Sequence, residues 1–190
     1  PFYILREAWN ILNAIAEGKI ERGDEKKLNA LKGETMAVIA LCQFDLTRCF
    51  GYPYTKDNGA SLGAPLIDHL VGTYENPSRS TVAQAYDFII ETLEEAVTLM
   101  SEEKNNGRMN KYAARALLAR VYLYHNDNRK AFDMAEQLIK DVDASGSYAL
   151  YPHEKYVAAW SVETKFGSES FFEIANSVDD TPGRDSWGYL

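Results

Sequence analysis

The stretch that decides the architecture is residues 110–142, NKYAARALLARVYLYHNDNRKAFDMAEQLIKDV. Its first half sets Ala114, Leu117, Leu118, Val121 and Tyr122 at the spacings that bring side chains onto one face of an α-helix. Ala113, Ala116 and Ala119 surround that stripe, and residues this small let a second helix approach closely. Asn126-Asp127-Asn128 makes a tight polar turn. Ala131, Ala135, Leu138, Ile139 and Val142 then line a further helix, which ends before Gly146. Helix, short turn and partner helix with small residues at the crossing make an αα-hairpin.

Outward from that hairpin the same grammar repeats. A helix from about residue 28 to Phe50 carries Met36, Ala37, Ala40, Leu41 and Phe44, and Gly51 and Pro53 end it, the glycine by accepting a left-handed cap. Another opens at Ser80 or Thr81, where Thr81 and Gln84 have capping-box spacing, and continues through Val82, Tyr86, Ile89, Leu93, Ala96, Val97 and Met100. Between them lies a glycine- and proline-broken segment of about 28 residues, Tyr52 to Arg79. Loops that long are uncommon in a compact domain and are often functional. An opening helix carries Ile4, Ala8, Ile11, Leu12 and Ile15 on one stripe and stops at Gly18, followed by a charged, solvated connection from Ile20 to Asn29. The two hairpins resemble tetratricopeptide units, one of them with the long segment inserted at its turn, although their offset is not the usual ~34 residues. The expected fold is all-α: tetratricopeptide-like helical hairpins with long irregular loops. One domain spans residues 1–190, with a helical scaffold at about 2–143 and a loop-rich aromatic tail at about 144–190. Within the tail, Phe171-Phe172-Glu173-Ile174 is expected to form a short strand.

Composition narrows the function. With 46% hydrophobic and 25% charged residues the chain has a globular balance. A formal charge of −8 disfavours phosphate-backbone binding, which runs on Lys and Arg, so no nucleic-acid partner is expected. No apolar run approaches the ~20 residues that span a bilayer. Cys42 and Cys49 are seven apart on one helix, ~10 Å along its axis and beyond disulfide reach. They are read as reduced, semi-buried thiols.

The catalytic motifs do not assemble. Gly59-Ala60-Ser61-Leu62-Gly63 has nucleophile-elbow spacing, but no strand precedes it and Pro65 blocks a following helix, so hydrolysis by Ser61 is set aside. Asp141, Asp143 and Ser145 imitate the start of a calcium loop whose twelfth position is Pro152 rather than an acid. His69, His125 and His153 lack the spacing of a zinc site. No cofactor, metal or enzymatic activity is expected. What remains is aromatic surface: 12 Tyr, 8 Phe and 3 Trp. Trp160, Trp187, Tyr189 and Tyr54 are the candidate ligand-binding residues, with Tyr52 and Tyr74 beside them, because flat rings stack on the C–H faces of sugars while polar neighbours bond hydroxyls.

Five segments, in order, carry a resemblance: YILREAWNILNAI at 3–15; Gly33-Glu34-Thr35-Met36-Ala37 running on to Arg48-Cys49-Phe50-Gly51-Tyr52-Pro53; Arg79-Ser80-Thr81-Val82 with Tyr86 and Ile89; residues 107–124; and Glu169 to Ile174. Together they are similar to the SusD/RagB family of Bacteroidetes surface glycan-binding proteins. One departure is Ile39-Ala40, where the family's signature helix usually has Arg-Ala. The resemblance implies a non-catalytic outer-membrane lipoprotein, exposed at the cell surface, that binds oligosaccharide and delivers it to a TonB-dependent, SusC-like transporter. Family members are longer, so the chain is expected to be an internal fragment whose lipid anchor lies elsewhere. The competing expectation is a tetratricopeptide-type scaffold that binds a protein and has no small-molecule site.

Overall fold

A computed structural model describes residues 1–20, 23–160 and 165–174. The elements are α1 (Phe2–Ala16), α2 (Glu25–Phe50), β1 (Leu62–Pro65), β2 (Arg79–Thr81), α3 (Val82–Leu99), α4 (Lys111–Tyr124), α5 (Asn128–Ser145) and α6 (His153–Ala159), with one 3₁₀ turn at Tyr54–Lys56. The fold is all-α and tetratricopeptide-like: α2 packs on α3, α4 on α5, and α3 on α4. Capping follows the side chains. Asp24 accepts from Lys26 N at 3.0 Å, Thr81 and Gln84 close a complete capping box, and Asn110 accepts from Ala113 N at 3.0 Å. Gly146 ends α5 in the left-handed conformation at φ 63°.

Helix α2 is buried on two sides. Met36, Ala37, Ala40 and Phe44 join the main core with Val82, Tyr86, Ile89 and Leu93 of α3 and Ala114, Leu118 and Val121 of α4. Ile39, Cys42 and Leu46 pack against Leu5 and Ala8 of α1. The small residues serve as expected at the α2–α3 crossing. A Cβ on Gly33 would lie 2.7 Å from Met100 Cγ and 2.9 Å from the Ala96 carbonyl. Polar ties reinforce the helix contacts: Tyr122 donates to Glu94 at 2.5 Å, joining α4 to α3, and Arg115 bonds Asp141 at 2.6 Å, joining α4 to α5. That pairing also occupies the first acid of the calcium-loop imitation.

Several expectations need correction. In α1 the buried face is Leu5 and Ala8, with Trp9 and Leu12 packed beside it; Ile4 and Ile11 are exposed. The rotation is set by Trp9, whose Nε1 donates to the Ile67 carbonyl at 3.1 Å. In α5, Ile139 faces solvent while Ala131, Leu138 and Val142 are buried. Gly51 is not a left-handed cap: its φ is −109°, and a Cβ there would meet the Thr47 carbonyl at 2.7 Å and Val82 Cγ2 at 3.0 Å. Close approach, rather than backbone handedness, requires glycine. The segment after it is not one irregular loop, because β1 and β2 pair antiparallel with Leu62 opposite Thr81 and Pro65 opposite Arg79. Cys42 is buried and Cys49 exposed, and both are free. The tail contains α6, and Phe171–Ile174 forms no strand. The Glu173 carboxylate instead accepts from Phe166 N at 2.8 Å and Gly167 N at 3.0 Å, folding that segment into a turn, while Phe171 packs edge-on against Tyr148.

Candidate ligand-binding site

Residues 66–78 stand as a wall between two hollows. On one side a cleft of about 570 Å³ is floored by α3 and β2. On the other a smaller, apolar hollow of about 300 Å³ is lined by Phe2 and Arg6 of α1 with Pro65, Ile67, Val71 and Pro77. Both volumes suit a small ligand. His69 and Pro77 line both.

The wall is held from below by Gln43, a fully buried polar side chain of α2. Its Nε2 donates to the Pro65 carbonyl at 3.1 Å and its Oε1 accepts from Ile67 N at 3.2 Å. Arg79 fastens the strands by donating to the Gly63 and Leu62 carbonyls at 2.7 and 3.0 Å, and Ser80 donates to Ala64 O at 3.1 Å. Within the wall, His69 Nδ1 faces Asp68 at 2.6 Å and Nε2 faces Glu75 at 2.7 Å, while the second Glu75 oxygen accepts from Gly72 N at 3.1 Å. Hydrogen bonds to Asp68 and then Glu75 raise the His69 pKa. The Gly72 amide and then His69 lower that of Glu75.

The cleft floor is a helical stripe. Gln84, Asp87, Phe88 and Glu91 follow at spacings of three, one and three along α3, and Ser78 and Glu75 face them from the wall. Carboxylates, an amide and hydroxyls around a ring and a proline suit a ligand with many hydroxyls and apolar C–H faces. Tyr74 projects from the wall at 95% exposure. Phe2 and Tyr3 are exposed at the start of α1, with Arg6 stacked 5.2 Å from the Tyr3 ring centre. Both His69 nitrogens are engaged, so neither is free to take a proton from a nucleophile. Ser61 donates its hydroxyl to Asp57 and leads into β1 rather than into a helix. No group of three or more His, Cys, Asp or Glu side chains is placed to hold a metal among the described residues.

A family of SusD-like proteins, described as starch-binding and associating with the outer membrane, matches residues 3–123. The chain belongs to the SusD-like family. A SusD superfamily protein from Bacteroides vulgatus is 95% identical over the whole chain, with a TM-score of 0.96, and the match occupies 43% of that protein. Another from Bacteroides thetaiotaomicron is 39% identical over 94% of the chain and 38% of its own, with a TM-score of 0.88. A laminarin-binding SusD-like protein shares the fold at 24% identity and a TM-score of 0.71, over 91% of the chain and 36% of its own. The chain thus spans less than half the length of these relatives. No curated protein matches it.

Placed on this SusD-like frame, the sequence-expected aromatics separate. Tyr54 is half-buried, its ring 5.7 Å from Tyr86 and 4.2 Å from His125, and its position supports the hairpin end. Tyr52 is exposed with Lys56 Nζ 3.0 Å above its ring centre. Trp160 is 73% exposed at the end of α6, edge-on to Tyr156 at 6.1 Å. Trp187 and Tyr189 lie outside the described residues. The cleft stripe was missed by a reading that followed aromatic rings. Its signal was present as polar positions 84, 87 and 91 on the face of α3 opposite the apolar stripe.

Proposed function

We propose that this SusD-like chain captures oligosaccharide without altering it, in the cleft between the 66–78 wall and α3, and that the whole protein passes the glycan to a TonB-dependent, SusC-like transporter. It acts as a surface-exposed outer-membrane lipoprotein, and its 190 residues work as one helical domain. The observation that carries the reading is the stripe Gln84, Asp87, Phe88 and Glu91 facing a wall tipped by Tyr74, within a family described as starch-binding. The laminarin-binding protein of the same fold makes β-glucans, beside α-glucans, a class to test. Trp160, Trp187, Tyr189 and Tyr54 remain proposed ligand contacts, Trp160 as an outlying platform and Tyr54 through the edge it leaves exposed.

Isothermal titration of the complete protein with starch-derived and laminarin-derived oligosaccharides tests this. Saturable heat near micromolar affinity, about −8 kcal/mol, is expected for one class. Asp87→Asn or Tyr74→Ala should weaken it about tenfold, equivalent to about 1.4 kcal/mol. Trp160→Ala separates an outlying platform from none. Absence of heat with every glycan would overturn capture. Exposed Phe132 and Ile139 on α5 would then favour the protein-binding scaffold.

A further inference from the structure

At the α2–α4 crossing two guanidiniums meet around one phenol. Arg48, in the last turn of α2, has Cζ 5.0 Å from the Phe44 ring centre and 5.5 Å from that of Tyr124. Arg120 approaches the same two rings from α4, at 6.0 and 5.8 Å. Phe44 is fully buried and holds Tyr124 edge-on at 5.4 Å, while Tyr124 itself is 43% exposed. The charges do not balance. Arg48 bonds Asp45 at 2.5 Å, yet its buried Nε has no hydrogen-bond partner among the described residues. Arg120 meets the Phe44 and Tyr124 rings and hydrogen-bonds the Tyr124 hydroxyl. Asp45, held by Arg48 alone, is thus the carboxylate ion-paired at these two cations, on a chain whose formal charge is −8. Hydrogen bonding and charge from Arg120 and then Arg48 pull the Tyr124 phenol below its ordinary pKa.

We infer that Arg48 and Arg120 form a clamp for one anionic sugar substituent, a uronate carboxylate or a sulfate ester, at a site sharing no residue with the cleft beside α3. Guanidinium presents paired N–H donors matched to such oxyanions. The exposed part of Tyr124 supplies apolar surface for the sugar ring that carries the anion. The site therefore selects charged sugars, whereas the cleft selects by hydroxyl pattern.

The test is NMR of the complete protein labelled with tyrosine ¹³Cζ, the Tyr124 signal assigned by its loss in Tyr124→Phe. Sodium glucuronate and glucose 6-sulfate are titrated at constant ionic strength, against glucose and sodium chloride. A saturable Tyr124 shift with either charged sugar, absent with glucose and chloride, is expected, and the responding sugar identifies the substituent. Binding raises the Tyr124 pKa by neutralising its cations, and Arg120→Gln weakens binding at least fivefold. The cleft variant Asp87→Asn leaves this titration unchanged, so failure of the cleft and failure of the clamp are read separately. An unsaturating drift, an equal response to chloride, or an unaltered titration in Arg120→Gln overturns the clamp. Equal binding of N-acetylaspartate overturns the sugar assignment and makes the site one for acidic peptide.

Discussion

The two hairpins reach the same packing through very different connections. Helices α4 and α5 are joined by residues 125–127, with Asn126 at φ 71° making the reversal and Asp127 capping the next helix. Helices α2 and α3 are joined by residues 51–81, which hold a 3₁₀ turn, two strands and the proposed glycan wall. Loop-closure cost grows only with the logarithm of length, so this difference costs about 2 kcal/mol of chain entropy. Hydrogen bonds from Gln43, Trp9 and Arg79 hold the long connection and offset that cost. A hairpin is specified by what its helices present at the crossing. The connection is free to vary, and the proposed glycan wall occupies the freedom.

The harshest way to break the comparison is to remove what both hairpins share. Phe44 is fully buried and meets Tyr86 of the first hairpin edge-on at 6.2 Å and Tyr124 of the second at 5.4 Å. Phe44→Ala should cost about 3–5 kcal/mol, the range for an aromatic deleted from a packed core. Urea unfolding reads it as a lower midpoint at unchanged slope. A loss near 1 kcal/mol would mean that the hairpins are stabilised separately.

A milder cut separates wall from scaffold. Gln43→Leu keeps volume on α2 but leaves Ile67 N and the Pro65 carbonyl without their side-chain partner, at about 1–3 kcal/mol for buried polar groups so exposed. Amide exchange should quicken across residues 66–78 while α4 and α5 keep their protection. Uniform acceleration through both hairpins would show that wall and scaffold open together.

How much of this was legible depends on the range of the interaction. The stripes of α3 and α4, the Thr81–Gln84 box and the small-residue crossings involve neighbours within a turn or two, and spacing alone revealed them. The long connection stood out by its length, and its glycines and prolines marked it as a break between helices. Its strands were not visible, because the pairing of Leu62 with Thr81 spans too much chain for any local pattern. Gln43 looked like one more polar residue on a helix; only the arrival of Pro65 and Ile67 makes it a bracket. The face of α1 was misjudged because five isoleucine and leucine positions permit two stripes, and Trp9 bonding Ile67 chooses between them. The site aromatics were sought by ring count, which cannot separate Tyr54, supporting a turn, from Tyr74, standing in solvent.

The gentlest probe tunes the wall by proton rather than by mutation. His69 bridges Asp68 and Glu75, and as an imidazolium it donates to both; the neutral ring can donate to only one. Other charges share its surroundings: Arg6 across the small hollow, and Arg79, Asp87 and Glu91 around the cleft. The folded pKa of His69 is raised from 6.5, so its contribution is complete below that unfolded value and is lost as pH rises through the raised one. Glu75 runs the other way: its pKa is lowered, so its contribution is present above its unfolded value and is lost only as pH falls through the depressed one. The doubly bonded clasp therefore exists between the lowered Glu75 pKa and the raised His69 pKa, and loosens above that window. An NMR titration of the His69 ring should show a midpoint above 6.5 that drops toward it in Glu75→Gln, with faster Gly72 amide exchange at every pH because its acceptor is weakened. In the three-residue connection His125 meets the Tyr54 and Tyr86 rings rather than two carboxylates, so amide exchange in residues 125–127 should be unchanged by Glu75→Gln. A His69 midpoint indifferent to Glu75→Gln would mean that Asp68 alone sets it, and that the wall is held by Gln43 and the strands without help from the clasp.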